Sequence, residues 1–414
     1  MLVPIAGGAW NNGSGAGVWA VNWNNARTNS NDNVGFRADC APASHPARGW
    51  WRRGRRVPAP ASCRGEICRR ALPGSRATGE RQRPPPICSV KTVGGLFDRA
   101  TSADALYEGY LAARRGKRAG RACYEFERRI GAHIDHMAAA LAAGTYRPRP
   151  YGTFWVTAPK RRMITAPAFR DRVVQHAIYN AVRPVFDATF IDQNFACRIG
   201  KGTHAAADYV QEAIRSSPPD SWVLQMDVRR FYPSIDRGVL RELYERRLRE
   251  RRLVDLMMLF ADDPAETGIP IGNLLSQLGA LVYLNPLDHF VKRVLKVERY
   301  CRYVDDFVLI GLTRERALQC QDAIGEFLAT RLHLGLSWAD VFTVSRGIDF
   351  CGFRTWRGRR FVRKHALYTF RRAARRGDAA AVASCLAHAR RTSSHAGMQS
   401  FMDALRIATS VDGC

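Results

Sequence analysis

Residues 299–311 carry an adjacent pair of aspartates, Asp305 and Asp306, inside a mostly apolar stretch, and this pair constrains the chain more than any other feature. The flanking residues read as the two arms of a β-hairpin with the acids at its turn. An acidic turn on a surface needs no explanation. Two neighbouring carboxylates within an apolar hairpin repel one another and lose hydration, and a bound divalent cation resolves both problems. A second acidic residue stands upstream. Residues 221–236 begin as a strand in which Trp222, Leu224, Met226 and Val228 alternate to one face, while Val223, Gln225 and Asp227 take the other. A lone aspartate at a strand end is usually only a terminator. Together with Asp305 and Asp306, it becomes a candidate third carboxylate of one site.

Between the two lies a Gly/Pro turn at residues 268–273, feeding a helix with Leu274, Leu278, Leu281, Val282 and Leu287 on its inward face and a kink expected at Pro286. The order strand, helix, helix, hairpin suits a split βαβ sheet. Upstream, the spacing predicts helices over 93–110 and 122–143. It also predicts a short basic hairpin over 154–164, and a helix from Phe169 to Val182 that Pro184 ends.

Charge narrows the partner. The formal net charge is +27 over 414 residues, an excess that suits a polyanion and is large for an enzyme of small neutral substrates. No run approaches a membrane span: the longest candidate, 279–291, is broken by Asn285, Pro286 and Asp288. The cysteines form no paired C-x-x-C array and no secretory signal is legible, so reduced thiols and a cytoplasmic location are expected.

Composition divides the chain. Residues 1–40 are rich in Asn and Gly, residues 41–90 in Arg and Pro without apolar period, and globular patterning begins near residue 92. The middle segment is expected to be a disordered linker.

The ordered motifs, Asp227 with Phe231, then Gly272 with Ser276 and Gln277, then Tyr303-Val304-Asp305-Asp306, resemble the core motifs of reverse transcriptases. Residues 159–162 and 169–176 resemble the fingers motifs of that family, residues 196–204 a segment of its bacterial members, and residues 347–353 its primer grip. The resemblance implies an α+β right-hand polymerase: fingers over 91–220, a palm with a ferredoxin-like split βαβ sheet over 221–355, and a short helical thumb over 356–414. It implies an RNA-directed DNA polymerase that adds deoxynucleotides to a 3′-hydroxyl, with an RNA template and a DNA primer as partners. Asp227, Asp305 and Asp306 would be catalytic. With the Val228 carbonyl they would hold two Mg²⁺ ions, which Mn²⁺ could replace. Phe231 would lie under the nucleotide sugar, Lys160 and Arg162 would cradle the triphosphate, and Gly272, Ser276 and Gln277 would line the nucleotide and template pocket. One departure stands out: many polymerases place a Lys after the catalytic hairpin, but residues 334–343 have none.

Ile271 before Gly272, and Gln277 after Ser276, resemble the enzymes of diversity-generating retroelements rather than the retroviral and intron-type pattern of Gln before the Gly and Ser-Pro at the end. That likeness implies error-prone copying of a template-repeat RNA, and a small basic accessory protein oligomer as partner. It also gives residues 1–40 a reading. They resemble the end of a lectin-like variable domain, as translated template repeat would, and the native enzyme is then expected to begin near residue 90. The alternatives are a retron or group II intron enzyme and, from another class, a basic RNA-binding scaffold without catalysis.

Overall fold

The structure is a computed structural model, and it describes residues 92–156, 161–262 and 265–411. The expectations for residues 1–40, residues 41–90 and Lys160 fall outside the described residues.

The N-terminal third is helical: α1 (Leu96–Thr101), α2 (Ala103–Ala113), α3 (Arg121–Glu127) and α4 (Ile130–Ala142). Two predicted helices are thus each divided. The first breaks at Ser102, whose backbone is extended and whose hydroxyl accepts the Ala105 amide, a helix N-cap inside the apolar period. The second breaks where Arg129 leaves helical geometry. A hairpin follows, β1 (Gly152–Val156) against β2 (Arg162–Ala166), and then α5 (Phe169–Asp187). Pro184 does not end α5, contrary to expectation: the helix runs on to Asp187. A proline inside a helix costs about 3 kcal/mol. Val182 and Phe186 on either side are buried in the main core, each contributing about 1.5–3 kcal/mol, so packing overrides the local preference.

The central sheet has four antiparallel strands in the order β4-β5-β3-β6: β3 (Trp222–Val228), β4 (Arg299–Tyr303), β5 (Asp306–Leu312) and β6 (Leu336–Thr343). The chain passes from β3 through α7 (Phe231–Ser234), α8 (Arg237–Glu245), α9 (Arg251–Ala261) and α10 (Leu274–His289) to β4. It passes from β5 through α11 (Arg314–Leu332) to β6. This is the split βαβ arrangement expected for the palm.

Both faces of the sheet are covered, which the alternation in β3 had not suggested. Leu224, Met226 and Val228 join the main core with α10 and α11. Val223, Cys301, Val308 and Ile310 join a second cluster with Ala206, Val210 and Ile214 of α6 (Thr203–Arg215). The main core draws buried residues from between Leu96 and Leu334, so one apolar cluster spans both the expected fingers and palm. The helix α10 is buried around its circumference, with Leu275, Gly279, Tyr283 and Leu284 enclosed as well as the predicted inward face. Pro286 lies within it, and one turn later the backbone widens into a π-turn at Phe290–Val294.

A small three-stranded sheet, β7 (Ile348–Phe350), β8 (Phe353–Thr355) and β9 (Arg360–Val362), leads to α12 (Lys364–Arg375), α13 (Ala379–Ala389) and α14 (Ser394–Val411). Phe353, Val362, Phe370, Val382 and Met398 form a separate core there. Among the described residues no helix is long and apolar enough to cross a membrane.

Candidate active site

The strand β3 is the rigid element of the site. It is hydrogen-bonded on both edges, to β5 and β6, and covered on both faces. Its last residues bring Asp227 level with Asp306 on one side and Trp338 on the other. The hairpin β4–β5 closes with Tyr303 paired to Asp306, leaving Val304 and Asp305 as a two-residue turn. The Val228 amide donates to the Asp305 carbonyl at 3.2 Å, so the turn is fastened to the end of β3. Strand register therefore brings Asp227 to the same sheet end as the adjacent pair Asp305 and Asp306, far along the chain.

Each acid has its own setting. The Ser337 hydroxyl donates to Asp227 Oδ2 at 2.5 Å and to the Asp227 carbonyl at 3.1 Å. The Gln225 amide donates to Asp306 Oδ1 at 3.2 Å and to the Asp349 carbonyl at 2.9 Å, tying Asp306 to the segment resembling a primer grip. Burial pushes the Asp305 carboxyl up to about 6, with the Asp227 charge adding to it and Arg162 and Arg302 opposing. Burial pushes Asp306 up to about 8, with Asp227 and Asp305 adding to it and the Gln225 hydrogen bond opposing. The nearby arginines thus offset the loss of hydration only in part.

That donor set suits a hard divalent cation, which takes a few carboxylate oxygens and completes its shell with water and phosphate. Among the described residues no three His, Cys, Asp or Glu side chains form a ready-made cage. A magnesium site that shares its ions with a substrate does not require one.

The remaining expected residues divide. Arg162 lies close enough to Asp305 for its charge to oppose part of the rise caused by burial. Gly272 adopts φ +136°, and a Cβ there would meet the Thr165 carbonyl oxygen at 2.3 Å. The Thr165 amide donates to the Ile271 carbonyl at 2.7 Å, so β2 docks on this loop backbone to backbone. Ser276 is buried, its amide donating to the N-cap Asn273 Oδ1 at 2.6 Å. Gln277 is half-buried. Phe231 is only 2% exposed and packs in the main core beside Tyr232 and Tyr283.

Sequence reasoning passed over four residues that touch this site or its support. Ser337 and Gln225 hold two of the carboxylates, and Asp288 and Arg302 pair beneath the turn. Gln225, Asp288 and Arg302 did leave a signal: each is a polar residue in an apolar run.

Residues 156–355 match the family model described as reverse transcriptase (RNA-dependent DNA polymerase). Protein YkfC of Escherichia coli is 23% identical over 282 residues, covering 56% of this chain and 73% of its own. The group II intron-encoded protein LtrA of Lactococcus lactis is 24% identical over 179 residues, covering 40% of this chain and 29% of its own. A solved telomerase from Candida albicans, in complex with a TWJ fragment of telomeric RNA, covers 55% of this chain and 49% of its own at 12% identity. Its TM-score is 0.41, too low to carry weight. The match over 156–355 spans β2 through β8 and every carboxylate of the cluster, so the chain carries a reverse transcriptase domain, the polymerising unit of an RNA-directed DNA polymerase.

Proposed function

We propose that the carboxylate cluster is the catalytic centre and that the enzyme copies a template-repeat RNA with errors, as part of a diversity-generating element. The observation that carries the first half is the register of Asp227 with Asp306 and the fastening of the Asp305 turn to β3. Asp227 and Asp305 hold the ions, with the Val228 carbonyl, and Asp306 is the weaker third carboxylate. Bound there, two Mg²⁺ ions, or Mn²⁺, would activate the primer 3′-hydroxyl and neutralise the leaving pyrophosphate. Ser337 keeps the Asp227 carboxylate turned to its task. Arg162, with Lys160, meets the triphosphate, offsetting charge that builds in phosphoryl transfer. Phe231 would bar a ribose 2′-hydroxyl, and Gly272, Ser276 and Gln277 would border the nucleotide and template. In this reading residues 91–220 are the fingers, 221–355 the palm and 356–414 the thumb.

Because Asp305 and Asp306 sit at about 6 and 8, cation binding has to expel protons. Apparent Mg²⁺ affinity should therefore rise with pH between about 6 and 8. Titration calorimetry in buffers of different ionisation enthalpy should show proton release on Mg²⁺ binding; a heat independent of buffer would contradict this arrangement.

The retroelement reading rests on the sequence around Ile271. An isoleucine cannot supply the hydrogen bonds of a glutamine, so the template base is held more loosely. Ile271→Gln should lower misincorporation opposite adenine several-fold in sequenced products, with other template bases little changed. An unaltered adenine error rate would remove the link. The likeness to LtrA favours a second reading, an intron-type enzyme. High fidelity at adenine in the wild type, and no near-identical repeat in the flanking DNA, would support that reading instead. In the first reading the partners are RNA template, DNA primer, deoxynucleotides and a small basic accessory oligomer. With this chain at +27, RNA would have to bridge the two like-charged proteins.

A further inference from the structure

Beneath the turn that carries Asp305 lies an ion pair with no exposure at either side chain: Arg302 of β4 and Asp288 of α10. Arg302 Nε donates to Asp288 Oδ1 at 2.7 Å and Nη2 to Oδ2 at 2.6 Å, a two-pronged fork, and the Tyr300 hydroxyl donates to Oδ1 at 2.8 Å. The remaining prong is aimed elsewhere. Arg302 Nη1 donates at 2.8 Å to the carbonyl of Val304, the first residue of the turn. The Arg302 backbone is held as well: its amide donates to the Gln193 carbonyl and its carbonyl accepts the Phe195 amide, each at 3.0 Å.

Val304 has φ +58°. For a β-branched side chain the left-handed region is costly, and the first position of such hairpin turns ordinarily takes Gly or Asn. A strained conformation persists only where its surroundings hold it. Here the Arg302 guanidinium grips the Val304 carbonyl, and Asp288 fixes the guanidinium to the central helix.

We propose that the Asp288–Arg302 pair is a positioning device: it locks the Val304 peptide in its left-handed state and so sets where the neighbouring Asp305 carboxylate stands. A buried pair could serve stability alone, but such pairs are often no more stabilising than apolar residues of similar volume. The third prong on a strained turn is what a purely structural pair would not need. The inference rests on the polymerase reading of the Asp305 site.

The test uses the full chain and three variants: Arg302→Lys, Val304→Gly and the two combined. Lysine keeps the charge but loses the fork and the third prong. Arg302→Lys should lower kcat for RNA-templated extension about 100-fold, as a misplacement near 1 Å does, with the deoxynucleotide KM little moved. It should also weaken Mn²⁺ binding, read by electron paramagnetic resonance without substrate. Glycine takes positive φ freely, so adding Val304→Gly should restore kcat and Mn²⁺ binding about tenfold or more without restoring thermal stability. The inference is overturned if the double variant is no better than Arg302→Lys, or if kcat across the set follows melting temperature. If Arg302→Lys does not fold, Tyr300→Phe removes one bond to Asp288 and should give a smaller loss of the same kind, again relieved by Val304→Gly. An inactive wild type would sink the polymerase reading itself, whereas an active wild type with no rescue sinks only this inference.

Discussion

Asp305→Ala should abolish RNA-templated primer extension, by about three orders of magnitude or more, without lowering the melting temperature of the metal-free chain. The first half follows from where the carboxylate stands, on the turn fastened to Val228 beside Asp227. The second half follows from its ionisation. A carboxyl raised to about 6 in the folded chain, from about 3.9 when unfolded, binds its proton more tightly when folded. The metal-free fold is then favoured at low pH, and the contribution is lost as pH rises through the folded value. At neutral pH the ionised Asp305 is a liability that alanine removes. Asp306, raised to about 8, extends the same trend, so metal-free stability should fall between about pH 4 and 8 and saturating Mg²⁺ should reverse the slope. Differential scanning fluorimetry with and without Mg²⁺, beside a primer-extension assay, checks both halves. Retained polymerase activity, or a variant several degrees less stable than the wild type, would remove Asp305 from the role given to it.

Gly272→Ala carries the next largest effect. A Cβ would stand 2.3 Å from the Thr165 carbonyl oxygen and 3.0 Å from its carbon, and φ +136° is a conformation L side chains avoid. Both obstacles are backbone, so no flexible side chain can yield. The loop has to move away from β2, which breaks the 2.7 Å bond from the Thr165 amide to the Ile271 carbonyl. Strain of this kind costs about 1–3 kcal/mol. The larger consequence is geometric. The hairpin bearing Arg162 is docked on this loop, so the variant should raise the deoxynucleotide KM and lower kcat together, about 100-fold or more in kcat/KM. Single-nucleotide incorporation kinetics measure it. A change under threefold would mean that the docking of β2 on the loop is unimportant for nucleotide handling.

The limits of sequence reading show at particular residues. Local propensity makes Pro184 a helix end, yet the helix continues to Asp187 because Phe186 is buried in the core. The β3 alternation suggested one apolar face, but α6 covers the other as well, and nothing in a strand's own pattern reveals what packs on its second side. Ser102 fits an apolar helical period and is nonetheless a cap. Asp288 and Arg302 are visible as charges in largely apolar sequence, but their pairing links α10 to β4, and no period joins two elements of different type.

What the sequence determined by itself is the order of elements that makes a split βαβ sheet and the identity of the three acids. Alternation, apolar spacing and motif order are local properties, and they survive without coordinates. What only the tertiary structure decided is the electrostatic state of those acids and the means by which they are held. Register sets Asp227 against Asp306, and burial raises the pKa values of the Asp305 and Asp306 carboxyls. Ser337, Gln225 and Arg302 reach their partners across the fold. Desolvation and hydrogen bonding depend on distances between segments remote in sequence, and those distances exist only once the chain has packed.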